Sequence, residues 1–391
     1  MCVSCATERR LLFTFLLFFL ALHGAFARER GPRVEVVCPS PPAPVKIEDK
    51  QALVYELHVT NFDVVPLTLK QLEIFADTET NHPLQVITGE ALSAVMMEAG
   101  STASGRTDSR SIGPAQRAVI YLWIELAPDQ PAPARLRHRM IFASGPPATG
   151  TQPAETKPAP TEATLDDFLV IVSREPAPLL GSPFDGGVWL AAGLSNHSGH
   201  RRSIFAIDGH IHSPERFAID WVKVGPNGDS HDGTTRNENW WGYGEPIHAV
   251  ADGEVTQIVD GIPENAPRVL PQPVTLDNIA GNYIVIRIAS NRYVTYAHLQ
   301  PGSIQVHLHD QVPRGTVIAR LGNSGNSTGP HLHFQVTDSD SVLQSEGVPY
   351  AFEKFTDLGP GSDYELDKHP SIPRKLSLPA DNDVIELPST R

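Results

Sequence analysis

Thirty-five of the 391 residues are proline, about 9% where roughly 5% is usual. Each proline inside a helix removes a backbone hydrogen bond and clashes with the preceding turn. A chain punctuated this often cannot be built on long helices or coiled coils. Between the prolines lie short runs with period-two alternation and β-branched residues, such as 52–59 (ALVYELHV), 67–75 (LTLKQLEIF) and 118–124 (AVIYLWI). That pattern predicts strands, and many short strands at such spacing predict antiparallel β architecture. Apolar residues make up 40% of the chain, enough for packed cores. The formal charge of −14 argues against nucleic acid as the main partner, because phosphate binding needs clustered Lys and Arg.

The first residues read as an export signal over 1–27. Arg9 and Arg10 precede an apolar run from Leu11 to Leu22, followed by Ala25-Phe26-Ala27, a small-x-small cleavage site. The run is shorter than the roughly 20 residues that span a bilayer, and no later segment is apolar enough to cross one. The mature protein is therefore expected to be secreted or periplasmic, without a transmembrane segment; an uncleaved anchor is the alternative. Cys2 and Cys5 would leave with the signal, so Cys38 has no disulfide partner within the mature chain.

Two domains follow. Residues 28–178 read as an Ig-like β-sandwich with a Pro/Ala/Thr-rich loop at 145–164. No chemical constellation appears in it, and His58 and His138 read as ordinary histidines. Residues 179–356 are again rich in strands, with candidates at 216–224, 246–250, 253–259, 282–288, 293–298, 316–321 and 331–336. The remainder, 357–391, has many Pro, Asp and Ser residues and reads as an extended or disordered tail.

The chemistry concentrates in the second domain. In a strand over Gly329-Pro330-His331-Leu332-His333-Phe334, alternation puts His331 and His333 on one face. An isolated H-x-H pair is weak evidence, as His307-Leu308-His309 in the same chain illustrates. The neighbouring segments strengthen it. His298 ends an apolar run, and Asp220 lies inside another, Phe217-Ala218-Ile219-Asp220-Trp221. A carboxylate in that setting needs a partner, which a metal or an arginine such as Arg216 would supply.

These segments resemble the lysostaphin/LytM-type zinc metallopeptidases, which are peptidoglycan endopeptidases. The resemblance runs from about Ile207 to Val336. It includes 244–255 (GEPIHAVADGEV), 281–286 (GNYIVI), 296–299 (YAHL), 312–315 (VPRG), 318–325 (IARLGNSG) and 327–334 (STGPHLHF). It implies a LytM-type antiparallel β-sheet peptidase domain, so that with the Ig-like sandwich read before it the chain is expected to be all-β. It implies Zn²⁺ held by Asp220 and His333, with His298 and His331 as catalytic histidines. A zinc-activated water would attack the peptide bond. One of the two histidines would take its proton and the other would stabilise the oxyanion.

One position departs from the family. Four residues before Asp220, where the family has its first histidine ligand, stands Arg216, which has no lone pair to offer a metal. Another histidine (His200, His210 or His212) would have to replace it, and His200, on a loop able to fold back, is preferred. Alternatively two protein ligands and waters hold the metal weakly, or the domain has lost its metal. The sequence thus carries two functions. One is a zinc metalloendopeptidase acting on peptidoglycan or peptide substrates. The other is an inactive LytM-like domain that binds cell wall or regulates a partner hydrolase. The insertion 225–243 adds Trp240-Trp241, either a stacking rim for substrate or packing at the domain edge. His248 reads as structural.

Overall fold

The computed structural model describes residues 31–389, apart from 78–80, 101–108, 128–129, 145–160, 234, 272 and 362–368. The expected signal, 1–27, and most of the expected loop at 145–164 lie outside the described residues. The last residues of that loop are already strand: Ala163 and Thr164 pair with Phe142 and Ile141.

The described residues are almost all β. In the N-terminal part, two five-stranded antiparallel sheets stack face to face. The first is centred on the strands Lys50–Asn61 and Arg117–Glu125, the second on Leu67–Ala76 and Arg135–Ser144. Alternation explains the core between them. Leu53, Tyr55, Leu57 and Val59 point inward from one sheet and meet Leu69, Leu72, Met140 and Phe142 of the other. The other face of Lys50–Asn61 is buried too. Ala52 and Val54 join the core of the second domain, and Glu56 and His58 lie beside them at 0% and 3% exposure. This is why 52–59 reads as a nearly unbroken apolar run: a different domain covers each face.

The second domain is organised by an eleven-stranded sheet. Its middle runs Gly187–Ala192, Ile219–Lys223, Leu332–Thr337, Arg292–Leu299, Asn282–Ala289 and Gly253–Val259, each antiparallel to the next. Trp189, Trp221, Tyr296, Phe334, Tyr350 and Phe352 fill the core on one face, with ring centroids of successive pairs 5.5–5.6 Å apart from Tyr296 through Phe334 and Tyr350 to Phe352.

The tail is corrected by the structure. The described residues beyond 357 are not an appendage. The strand Asp383–Leu387 sits between Gly187–Ala192 and Ala351–Pro360, and Ile372–Ser377 pairs with the outer side of the latter. Leu378 and Ile385 are fully buried. Each apolar run is only a few residues long and is broken by Asp or Pro, so the tail's composition hides its two strands.

Candidate metal centre

Asp220 and His333 are directly opposed on neighbouring strands, and the register extends their row to Ala192 on one side and Ala297 on the other. Small alanines flank the acid and the imidazole, which leaves room above the sheet. His333 Nδ1 is 3.0 Å from Asp220 Oδ1. Its other nitrogen, Nε2, is 3.0 Å from Gln335 Oε1. Gln335 in turn donates from Nε2 to the Val342 carbonyl at 3.1 Å, which fixes which end of its amide faces the ring. Gln335 thus offers an acceptor that can hold a proton on His333 Nε2, and Nδ1 faces the Asp220 carboxylate.

His200 arrives from the one-turn helix Gly199–Arg202, capped by the Ser198 hydroxyl, which accepts from Arg201 N. Its Nε2 lies 3.2 Å from Asp220 Oδ2, and its ring meets that of His333 edge-on at 4.9 Å. Close approach demands a glycine at 193: a Cβ there would fall 2.2 Å from His200 Nδ1, and φ is +95°. One donor atom from each of His200, Asp220 and His333 lies within 4.8 Å of the other two.

His331 precedes the strand Leu332–Thr337 and shares the face of His333, as alternation predicts. Its Nδ1 lies 2.8 Å from the Gly329 carbonyl and 3.2 Å from Ser327 Oγ, and its Nε2 lies 3.4 Å from Asp220 Oδ1. His298 reaches the same place by a different route. Strict alternation after Ala297 would send it to the opposite face. Instead it adopts φ +61°, a left-handed conformation uncommon for a side-chain-bearing residue. Its ring then lies 4.7 Å from that of His331 and 5.8 Å from that of His333, with Nδ1 donating to Ser324 O at 2.8 Å.

The electrostatics follow the geometry. Burial works against the Asp220 charge, but His331 and His200 hold the carboxyl well below its ordinary range. Burial likewise opposes charge on His200, and Asp220 outweighs it, carrying the ring up to about 9. Burial, then the neighbouring His331 and His333, push His298 well below its usual value, so it is neutral. A cleft of about 600 Å³ opens over these groups. Leu270, Ile279 and Leu343 supply apolar wall, and Glu215, Asn326 and Thr328 supply polar edges.

The remaining expected residues go elsewhere. Arg216 lies in a turn, three residues before the strand begins, and not on the strand expected over 216–224. Its guanidinium binds Glu56 of the sandwich. His210 and His212 sit on a two-stranded hairpin, with His212 Nδ1 3.9 Å from Glu346. His248 Nδ1 donates to Gly315 O at 2.9 Å. Trp241 Nε1 donates to Asp229 Oδ1 at 2.9 Å within the loop, and Trp240 packs on Gly329, beside the His331 segment. Sequence reasoning missed Gln335 and Gly193. Gln335 could have been found, two residues beyond His333 on the same strand face. Gly193 carried no signal, because only the fold-back of the 199–202 helix gives it meaning.

Residues 231–345 match the family model "Peptidase family M23". The chain carries an M23 peptidase domain. The matched span includes His298, His331 and His333 and begins after His200 and Asp220. The M23 domain is similar to the peptidoglycan DD-endopeptidase ShyC of Vibrio cholerae, with 34% identity over 93 residues, 24% of this chain and 17% of that protein. It is also similar to an uncharacterized metalloprotease of Buchnera aphidicola, with 44% identity over 69 residues, 18% of each chain. The matches span less than a fifth of the length of these relatives. Among solved structures, the catalytic domain of the M23 protein EnpA from Enterococcus faecalis aligns at 20% identity and a TM-score of 0.26, covering 44% of this chain and 93% of that one.

Proposed function

We propose that this protein is an exported zinc-dependent endopeptidase that hydrolyses peptide bonds in peptidoglycan cross-links. The convergence of His200, Asp220 and His333 in the second domain carries the reading. Two imidazoles and one carboxylate suit Zn²⁺, and three protein ligands leave the open position of a catalytic site. The fit is supported by His333, whose Nε2 faces the Gln335 amide oxygen while Nδ1 is turned to Asp220 on the cluster side. When bound, zinc supplies a Lewis acid that polarises the scissile carbonyl and acidifies water.

The chain's own residues would do the rest. His298 keeps its proton on Nδ1, against Ser324 O, so Nε2 is a free acceptor able to take a proton from the attacking water. His331 is anchored at Nδ1 by Gly329 O and turns Nε2 toward the cluster, where a protonated ring would donate to the developing oxyanion. The apolar wall formed by Leu270, Ile279 and Leu343 would seat peptide side chains and keep water off the reacting carbonyl.

Arg216 was the reason to consider an inactive binding module. That side chain stands outside the cluster, bonded to Glu56, and His200 occupies the position beside Asp220 that a third ligand would need. The deciding experiment measures zinc in the purified chain by elemental mass spectrometry, followed by muropeptide release from peptidoglycan. One zinc per chain, absent from an Asp220→Ala/His333→Ala variant, together with zinc-dependent release, is the expected result. A chain that takes up no zinc when it is supplied would overturn the proposal.

A further inference from the structure

The segment that carries His200 is fastened chiefly to the sandwich. Arg201, the next residue, is buried to 1% exposure and contacts the Glu56 carboxylate. Its Nη2 also donates to Tyr55 O at 2.8 Å. Arg202 donates to Ala94 O at 2.5 Å, and Asn196 donates to Tyr121 O at 3.0 Å. Every one of these acceptors belongs to the N-terminal domain. Glu56 itself is 0% exposed and serves a second cation. Arg216 Nε lies 3.0 Å from both of its oxygens, and Nη2 lies 2.8 Å from Oε2. Arg216 also binds Glu346 at 2.5 Å and Gly347 O at 2.6 Å. One buried carboxylate therefore holds two chain segments, one leading into His200 and the other into Asp220.

We infer that Glu56 is a positioning residue for the metal centre. Through Arg201 it sets His200 over Asp220, and through Arg216 it sets the turn that enters the Asp220 strand, so the sandwich completes a site that the M23 domain holds only in part. The inference rests on reading His200, Asp220 and His333 as zinc ligands. Consecutive Cα atoms are about 3.8 Å apart, so a displacement of Arg201 reaches His200 almost undiminished. Metal–ligand distances tolerate only about 0.2 Å. The arginine at 216 then has a role: with the first ligand supplied from 200, its position is released to lock the domains.

The test uses the full chain and zinc alone, with affinity measured by competition against a chromophoric chelator. Glu56→Gln would leave two buried guanidinium groups poorly compensated and risks unfolding. A second variant, Glu56→Leu/Arg201→Met/Arg216→Met, removes the three buried charges together, a replacement that buried ion triads tolerate, and leaves Glu346, the other partner of Arg216, 16% exposed to solvent. Near-UV circular dichroism and thermal unfolding of the metal-free protein report that it folds. We expect the folded triple variant to bind zinc at least tenfold more weakly than wild type, about the effect of losing a partner that orients a ligand. In a His200→Ala background the same replacement should cause a smaller loss, because the Arg201 arm acts through His200 and only the Arg216 arm remains. A folded triple variant with wild-type affinity overturns the inference and leaves the zinc site intact. So does a loss that persists undiminished in the His200→Ala background. A wild-type chain that binds no zinc overturns the metal reading and this inference together.

Discussion

Asp220 and His333 are opposed residues on adjacent antiparallel strands, with 3.0 Å between Oδ1 and Nδ1. The sheet register itself therefore creates the acid–imidazole pair, and a shift of one residue would turn one of the two to the other face. The third member, His200, is brought by a loop whose position depends on the neighbouring domain.

His298→Ala should retain zinc and lose hydrolysis. The side chain contacts Ser324 O and neighbouring rings but is not among the three clustered donors. Loss of a proton-transfer group costs roughly 10²–10⁴-fold in rate. Zinc content and muropeptide release, measured on the same preparation, check this; a variant that loses its zinc would show that the residue is structural.

Gln335→Met should weaken zinc binding by roughly 10–100-fold while preserving the fold, since methionine fills the volume but offers His333 Nε2 only a weak thioether acceptor. Chelator competition reads the affinity. Unchanged binding would mean that the strand alone orients the ring.

Gly193→Ala should cost about 1–3 kcal/mol of stability and displace His200. The backbone at 193 is left-handed, and the new Cβ would meet the His200 ring. Denaturant unfolding and zinc affinity should both fall, and a change in only the first would separate backbone strain from the site.

Stability should decline in mild acid through the sandwich. Burial pushes His138 down from 6.5 to about 4, and His58 down likewise. Both rings are neutral in the fold, while the unfolded chain takes up protons below about pH 6.5. Their contribution is complete above that pH and is lost as the pH falls toward 4, by about 2 kcal/mol per histidine at pH 5. His138 Nε2 accepts from Tyr55 OH and Nδ1 donates to Phe168 O. Urea unfolding at pH 7.5 and pH 5 should show the decline, and His138→Gln should make it shallower. An identical slope in the variant would assign the decline to other groups.

Ile385→Ala should destabilise the second domain by about 2–5 kcal/mol, because the side chain is fully buried on a strand that lies within the sheet. A cost near zero in chemical denaturation would restore the view of residues beyond 357 as a dispensable tail.

The strands were legible because proline punctuation and period-two alternation leave few other folds. Their order in the sheet was not, since pairing joins Ile219–Lys223 to Leu332–Thr337 across more than a hundred residues. Alternation alone placed His331 and His333 on one face. It would have misplaced His298, which reaches the cleft only through a left-handed backbone that no local pattern announces. The tail strands were hidden for a related reason: five-residue runs bury themselves only when other strands supply both edges. At 216 the sequence showed a missing imidazole. What the arginine does instead, and how His200 comes to stand beside Asp220, depended on a carboxylate 160 residues away, buried where two domains meet.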